Sequence, residues 1–238
     1  MLAATLTACN GAADTTAPSL ISANGVAAAS GLAAAGSLNF TENFNPHVAV
    51  ANRLEATGGS PLYVNGMAVF SEDNGRVYLR TLAAYQNVSF TAEVTVTVQS
   101  GFGGDGIAFI GLGAGAPNGD FFGEPATVPS IYTRILPSDF YGPSVNITDA
   151  THDNISELPF VATGGSDGTS RVRITWDSAQ HTYSFAMQNN YVEGTDFAPT
   201  TLVGPYAVGN VFTDARIFFG GSGNVSFANL HVVTRPTK

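Results

Sequence analysis

Residues that could do chemistry are few in this sequence, and most of them are carboxylates. There are 18 Asp and Glu against nine Lys and Arg, with four His and one Cys. Asp105 has the most informative setting, because it precedes Gly106 and an apolar run at residues 107–112. An ionised carboxylate carries two acceptor oxygens and no donor, so it suits the hydroxyl groups of a sugar. Asp-Gly is also a common turn, and both interpretations of Asp105 stay open.

Acid catalysis would require a second carboxylate beside the first. Retaining glycoside hydrolases hold two carboxyl groups about 5–5.5 Å apart. Glu93 is the only carboxylate on its predicted strand, residues 88–99. Glu124 and Asp139 are the other candidates for a catalytic role. None of the three has an evident partner in the sequence, so the catalytic residues stay unassigned.

Two neighbouring strands must position Glu93 and Asp105. From Phe90 to Gln99 apolar residues alternate with Thr, Glu and Gln, which is the period of a strand with one buried face. The stretch 107–112 has no polar position at all. We therefore expect the first strand to have one solvated face and the second to be buried on both faces.

The whole chain follows the same strand-and-turn pattern. The predicted strands are residues 38–44, 62–70, 76–83, 88–99, 107–112, 130–135, 171–177, 182–188, 215–220 and 225–233. Turns are predicted at Asn74-Gly75 and at residues 177–180, and residues 137–168 are predicted as a long loop with short strands. Many strands without a convincing long helix predict an all-β, two-sheet antiparallel jelly-roll sandwich.

Composition bounds the domain organisation and the partners. Of 238 residues, 44% are hydrophobic and only 11% charged, with 27 Gly and 12 Pro, which is typical of a turn-rich all-β chain. Residues 1–37 are predicted as a signal-peptide remnant and low-complexity tether, and residues 38–238 as one sandwich domain. The net charge of −9 excludes nucleic acid as the expected partner, because binding phosphates requires a basic patch.

Cys9 is the single cysteine, so no disulfide can form within the chain. Its setting, Leu6-Thr7-Ala8-Cys9, resembles the lipobox of bacterial lipoproteins, in which the cysteine is acylated. Lipidation at Cys9 would give the protein its only membrane contact and place it at the outer cell surface. The alternative is a tail that happens to contain one cysteine, and both stay open.

Several stretches together resemble the concanavalin A-like lectin and glucanase superfamily, which has a jelly-roll fold. They are residues 65–69, 76–81, 88–98, 104–112, 171–177 and 217–230. The most specific is Asp105-Gly106-Ile107-Ala108-Phe109, which resembles the Asp-Gly-(Ile or Leu)-Ala-Phe run of legume-type lectins. This resemblance implies that Asp105 accepts hydrogen bonds from two sugar hydroxyls. Two short motifs are also similar to keto-disaccharide hydrolase-like domains. They are Asn65-Gly66 and, near the end of the chain, the Phe-x-Asn-Leu motif of residues 227–230.

The chain departs from that family in its metal ligands. The metal signature of the lectins, Glu-x-Asp followed by Asn, Asp and His, is absent, and the segment 149–153 matches it in neither spacing nor order. The resemblance still implies a structural Ca²⁺, since this fold often ties its termini with a hard cation. The sequence shows no dedicated calcium loop.

The expected function is a carbohydrate-binding, lectin-like domain, extracellular or on the cell surface, whose partner is a glycan or polysaccharide. Aromatic faces stack on sugar rings and polar groups fix their orientation. The expected binding residues are Asp105, Gly106, Asn118, Asp120, Tyr132, Phe140 and Tyr141. The absence of paired acids favours binding over catalysis. Two alternatives stay open: a glycoside hydrolase or polysaccharide lyase of the same fold, and a structural or adhesive surface protein.

Overall fold

The computed structural model describes residues 38–45, 50–71, 77–98, 106–113, 130–135, 144–148, 168–209, 212–223 and 225–235. Within them the secondary structure is almost entirely β, with one 3-10 turn at Val50–Asn52. The strands are β1 (Phe40–Glu42), β2 (Leu54–Thr57), β3 (Leu62–Val64), β4 (Met67–Phe70), β5 (Val77–Thr81), β6 (Phe90–Val98), β7 (Ile107–Gly113), β8 (Ser130–Ile135), β9 (Ser144–Thr148), β10 (Gly168–Asp177), β11 (Thr182–Gln188), β12 (Thr201–Ala207), β13 (Arg216–Ser222) and β14 (Val225–Thr234). In these same ranges no helix has the length and hydropathy to cross a membrane.

The strands form two antiparallel sheets. The eight-stranded sheet has the order β12-β11-β10-β6-β14-β4-β3, with β1 also paired to β14. The six-stranded sheet has the order β2-β5-β13-β7-β8-β9. The two-sheet all-β architecture predicted from the alternation is therefore confirmed.

The main core lies between the two sheets. Every second residue of β6, from Phe90 to Val98, is fully buried there, as the alternation predicts. The hairpin of β10 and β11 also has the predicted pairing, with Trp176 opposite Tyr183 and Ile174 opposite Phe185. Strand β7 is buried at all seven positions, so the prediction that it is covered on both faces is confirmed.

One hydrogen-bonded tyrosine links the two sheets inside the core. The hydroxyl group of Tyr183 on β11 lies 2.9 Å from Thr133 Oγ1 on β8 and donates to the carbonyl oxygen of Ile110 at 3.3 Å. Burial raises the pKa of Tyr183 well above its usual value, and the hydrogen bond with Thr133 opposes this only partly. The phenol is therefore held neutral, as a buried group without a cation beside it must be.

Some strand boundaries differ from the sequence prediction. The predicted strand 62–70 is a hairpin, because Asn65 and Gly66 both adopt positive φ, at 51° and 75°, and turn the chain between β3 and β4. Asn-Gly is the pair that favours such a turn. Strands β2, β9 and β12 were not predicted as separate strands; β9 falls in the stretch predicted as a loop with short strands.

The last strand, β14, is shared by two shorter strands that lie end to end along one of its edges. Residues 225–228 pair with β4, and residues 230–232 pair with β1. Between these two segments Asn229 has φ of 52°, and the register with β6 shifts by one residue between Ala228 and His231. This β-bulge turns His231 to the face opposite Phe227, whereas plain alternation along the strand predicts that they share a face.

The two edges of the eight-stranded sheet are short or irregular. Strand β3 has three residues. Strand β12 contains Pro205, after a glycine with φ of 97°, and its pairing with β11 is interrupted at that point. Proline cannot donate a ladder hydrogen bond, so edge strands are where it is tolerated.

Candidate functional site

The expected sugar-binding residues that the structure describes belong to the six-stranded sheet. Gly106 is buried directly before β7, and Tyr132 lies on the adjacent strand β8. β7 is a central strand of that sheet, and β8 lies between β7 and the edge strand β9. The remaining candidates lie outside the described residues: Asp105, Asn118, Asp120, Phe140, Tyr141, Glu124, Asp139 and Cys9.

An aromatic layer covers the face of the six-stranded sheet that points away from the core. Its centre is Phe218 on β13, which is fully buried, and ring centroids of three neighbours lie 6.0 to 6.4 Å from it. These neighbours are Tyr78, Phe109 and Tyr132. Ile107 completes the layer as a second hydrophobic cluster, separate from the main core. Tyr132 is 3% exposed, which leaves little of its ring accessible to a ligand. Its part in sugar stacking stays a prediction.

Two glycines make this aromatic layer sterically feasible. By register Gly111 lies between Phe218 and Tyr132, and Gly220 lies between Tyr78 and Phe109. A Cβ atom on Gly111 would lie 2.5 Å from Tyr132 Cβ and 2.3 Å from the carbonyl oxygen of Ile131. A Cβ atom on Gly220 would likewise lie 2.7 Å from Tyr78 Cβ. The rings can therefore meet across an intervening strand because that strand has no side chain there.

Glu93 lies elsewhere, on the outer face of the eight-stranded sheet. Arg173 Nη2 is 2.6 Å from Glu93 Oε1, and Arg171 Nε is 3.5 Å from Oε2. Arg171 also donates to Thr95 Oγ1 at 2.9 Å. The sequence predicts a solvated face here, but Thr91 and Thr95 are less than 10% exposed. The long arginine side chains contribute to that cover, since their stems lie along the sheet.

The loop between β11 and β12, residues 189–200, crosses over these arginines. The guanidinium carbon of Arg173 is 4.2 Å from the centroid of the Phe197 ring, and that of Arg171 is 5.7 Å from the Tyr191 ring. Both distances are within the range of cation–π attraction. Glu193 then accepts a hydrogen bond from the Asn229 amide at 3.1 Å, which fixes the loop to β14.

The sandwich therefore separates the two groups of candidates. Glu93 is on the outside of one sheet, whereas Gly106 and Tyr132 are in the other sheet, with the core between them. One sugar ring cannot contact both. Glu93 is also paired with two cations, which is the arrangement of a structural carboxylate. Its catalytic role, like that of Glu124 and Asp139, stays untested.

Metal binding finds no support in the part of the chain that the structure describes. No group of three or more His, Cys, Asp or Glu side chains comes together there. Ca²⁺ prefers six to eight oxygen ligands, usually with several carboxylates among them, so the described residues do not fit it. The segment 149–153 lies outside the described ranges.

No protein-family model and no curated protein matches the sequence. The exoplasmic/lumenal domain of VIP36, solved with Ca²⁺ and Man3GlcNAc, gives a TM-score of 0.60 at 11% identity, covering 83% of this chain and 89% of that one. Metal-free lectin I-B4 from Griffonia simplicifolia gives 0.56 at 13%, covering 84% and 100%. Winged bean acidic lectin with methyl-α-D-galactose gives 0.57 at 11%, covering 82% and 97%.

The fold is the concanavalin A-like jelly roll of the legume lectins. This confirms the resemblance drawn from the residues around Asp105 and from the strand pattern. The coverage shows that the jelly roll takes up most of this chain and nearly all of each lectin. Identities of 11–13% establish the shared fold and leave the function to be argued from the site.

The aromatic layer is not among the features predicted from the sequence. The signal was present in Phe218-Phe219-Gly220, because consecutive residues of a strand point to opposite faces. Phe219 enters the main core, so Phe218 must point outward. That Phe109 and Tyr132 meet Phe218 depends on the register of three strands, which no single stretch of sequence contains.

Proposed function

We propose that this protein is a carbohydrate-binding domain whose site is at the Asp105 end of β7. The observation that carries the proposal is the position of Gly106, buried at the entry of a central strand beside the aromatic layer. Asp105 precedes it, so its carboxylate would present two acceptor oxygens next to the start of β7. Two acceptors on one group suit the hydroxyl groups of a sugar.

The solved structures of the same fold support this choice of ligand. The VIP36 domain is recorded with a mannose-containing glycan and the winged bean lectin with a galactoside. Glycan binding outside the cytosol is the corresponding proposal for this chain, with lipid attachment at Cys9 as its proposed anchor. Acylation of Cys9 is tested by mass spectrometry of the membrane fraction, where an unmodified Cys9 in soluble protein would contradict it.

The test of the sugar site is the variant Asp105→Asn, which keeps the size and turn tendency of the residue but removes its charge. We expect its affinity for the glycans that the parent protein binds on a glycan array to fall about tenfold or more, because hydrogen bonds to charged groups are the strong ones. The matched control is Asp177→Asn, since Asp177 Oδ1 accepts the backbone N–H groups of Ala179 and Gln180 in another turn.

The control separates binding from a turn role. If Asp105 only stabilises a turn, both variants lose a little stability and glycan affinity is unchanged. If no glycan binds the parent protein, the proposal fails and the adhesive-protein alternative gains support. Turnover of a β-glucan that is lost in Glu93→Gln would favour the enzyme alternative instead.

A structural Ca²⁺ is the cofactor that we propose alongside the site, on the ground that the VIP36 domain is recorded with Ca²⁺. The described residues supply no set of ligands for it, so no binding step is derived from it. Adding Ca²⁺ and then a chelator should raise and then lower the melting temperature. A melting temperature that responds to neither reagent would dismiss the cation.

A further inference from the structure

The junction of β1 and β4 on the edge of β14 leaves an open cleft of about 600 Å³. Four asparagines line it: Asn43 and Asn45 follow β1, Asn65 is in the β3–β4 turn, and Asn229 is at the bulge of β14. Clefts of roughly 300–1,000 Å³ are the usual size of small-molecule sites. The lining residues belong to the eight-stranded sheet and its connections, whereas Gly106 precedes a strand of the six-stranded sheet.

Residues with positive φ are concentrated around this cleft. Five non-glycine residues of the described chain have positive φ, and three of them are at the cleft: Phe44, Asn65 and Asn229. Asparagine tolerates this conformation, but for a bulky residue such as Phe44, at φ of 51°, it costs on the order of 1–3 kcal/mol. Phe44 is fully buried against Phe219. This packing holds the strained turn that presents Asn43 and Asn45 on either side of it.

Asn229 is held in one orientation by its neighbours. Its Nδ2 donates to Glu193 Oε1 at 3.1 Å, and its backbone oxygen accepts from Arg171 Nη1 at 3.3 Å. Arg171 is itself fixed by Glu93 and by Thr95. The Asn229 amide is therefore oriented before any ligand arrives, which lowers the entropic cost of binding.

The cleft offers both hydrogen-bonding roles and no charge. Asn43 Oδ1 accepts a long hydrogen bond from the Asn45 N–H at 3.4 Å, which leaves the Nδ2 group of Asn43 as a donor. The Asn229 orientation leaves Oδ1 as an acceptor. Met67 and Ala228 add apolar surface. A sugar hydroxyl both donates and accepts, so adjacent amide donors and acceptors match it, whereas a charged ligand would find no opposite charge among the lining side chains.

We propose that this cleft is a second binding site, specific for uncharged saccharides. The amides of Asn43, Asn65 and Asn229 would hydrogen-bond the hydroxyl groups, and the ring would lie over Met67 and Ala228. The site does not depend on Asp105. A glycan chain could then be held at two separate places on one domain.

The experiment is a titration of ¹⁵N-labelled full-length protein with glucose, galactose and mannose as neutral probes. Glucuronate is the charged match of glucose, since the two differ at one carbon. We expect the side-chain amide signals of Asn43, Asn65 and Asn229 to shift with a neutral probe. Glucuronate should bind at least about tenfold more weakly, because a carboxylate loses hydration without gaining a cation.

The test variants are Asn65→Gly and the pair Asn43→Ala with Asn65→Gly. Glycine accepts the positive φ of position 65, so the turn is kept while the amide is removed. We expect the double variant to bind the neutral probe about tenfold more weakly, since two neutral hydrogen bonds are lost. The matched control is Asn190→Gly, because Asn190 also has positive φ, at 53°, and does not line the cleft.

The outcomes separate this proposal from the Asp105 site. Shifts at Asn65 and Asn229 that persist in Asp105→Asn support the cleft even if the Asp105 proposal fails. Shifts confined to Gly106 and β7 overturn the cleft proposal and leave the Asp105 site standing. No shift at the cleft with any neutral probe overturns it. Cleft shifts that appear with Ca²⁺ and with no sugar, or equally with glucuronate, also overturn it.

Discussion

Glu93 and its two arginines determine much of the outer surface of the eight-stranded sheet. The Glu93 side chain is 20% exposed, and it is paired at 2.6 Å with Arg173 and at 3.5 Å with Arg171. Through Arg171 the pairing extends to the backbone of Asn229. A single carboxylate thus connects strands β6, β10 and β14, and this connection is the role that its geometry supports.

Glu93→Gln should lower the free energy of unfolding by about 1–2 kcal/mol, because a charge-assisted hydrogen bond and an ion pair are lost from a partly buried place. Glu55→Gln is the comparison, since Glu55 pairs with Arg80 but is 38% exposed. Its loss should be below about 1 kcal/mol, as for exposed pairs. Urea denaturation of the two variants and the parent protein measures the difference. Equal losses in both would contradict a structural role for the Glu93 cluster.

Tyr183 makes stability depend on pH at the alkaline end. Burial raises the pKa of Tyr183 above its ordinary value, while the unfolded phenol titrates near pH 10. Above about pH 10 the unfolded state therefore binds fewer protons than the folded state, so stability falls as pH rises. Below that pH the stabilisation is fully present. Tyr85, whose pKa burial also raises, acts in the same direction.

Tyr183→Phe should flatten this alkaline loss. The variant loses the hydrogen bonds to Thr133 and Ile110 at every pH, but it no longer loses stability through this phenol. Urea midpoints between about pH 8 and about pH 11 measure the slope. Tyr191→Phe is the control, because its hydroxyl bonds at the surface. An unchanged slope in Tyr183→Phe would show that other groups cause the alkaline loss.

At the scale of elements, the loop of residues 189–200 is an attached strap across the outer sheet face. Phe197 lies over Arg173 at 4.2 Å, and the backbone N–H groups of Tyr191 and Thr200 donate to Thr169 and Met187. The strap is thus bonded to β10 and β11 at its ends and packed on an arginine between them. Its opening should be a local event, separate from unfolding of the sheets.

Phe197→Leu should make that opening easier. Losing one cation–π contact of about 0.5–1 kcal/mol should speed hydrogen exchange at the Tyr191 and Thr200 amides about two- to fivefold. Exchange in β6 should stay unchanged, because the strap does not form its hydrogen bonds. Val192→Ala is the control, since Val192 is in the same loop and 65% exposed. Equal effects of the two substitutions would contradict the anchoring role of Phe197.

The elements also show which features a sequence can predict. Strands β6 and β7 were predictable because their period of two, and then their uniformly apolar run, each have one structural solution. The hairpin of β3 and β4 differs from the predicted single strand, because the apolar runs on both sides of Asn65-Gly66 suggest one continuous strand. The bulge at Asn229 is set by how β1 and β4 share β14, a tertiary effect that local alternation does not contain.

The candidate site likewise has one part that local sequence predicts and another part that depends on the pairing of distant strands. Gly106 at the entry of a central strand was predictable from a five-residue motif. The aromatic layer requires that Gly111 be paired with both Phe218 and Tyr132. This pairing is set by the register between strands that are distant in sequence. The asparagine cleft is likewise assembled from segments up to 186 positions apart, from Asn43 to Asn229.

For the whole molecule, charge is the property with the clearest functional consequence. The net charge is −9, and Arg80, Arg171, Arg173 and Arg216 are each paired with a carboxylate. These arginines therefore offer no free basic surface to a polyanion. A ligand with few charges is the partner that such a surface admits without repulsion.

The protein should therefore pass through a heparin column at physiological ionic strength without retention, because binding a polyanion requires unpaired Lys and Arg that displace its condensed counterions into solution. A basic protein of similar size on the same column serves as the positive control. Retention that is reversed by added salt would reveal a basic patch and contradict this prediction. The same result would reopen the exclusion of nucleic acid.

The irregular edges of the eight-stranded sheet bear on how the protein behaves at high concentration. An exposed, flat edge is a template on which a second molecule can add its own strand, and repeated addition leads to fibres. Strand β3 offers only three residues for such growth, and Pro205 removes a backbone donor from β12. These two edges of the eight-stranded sheet therefore offer little backbone for edge-to-edge growth between copies of the protein.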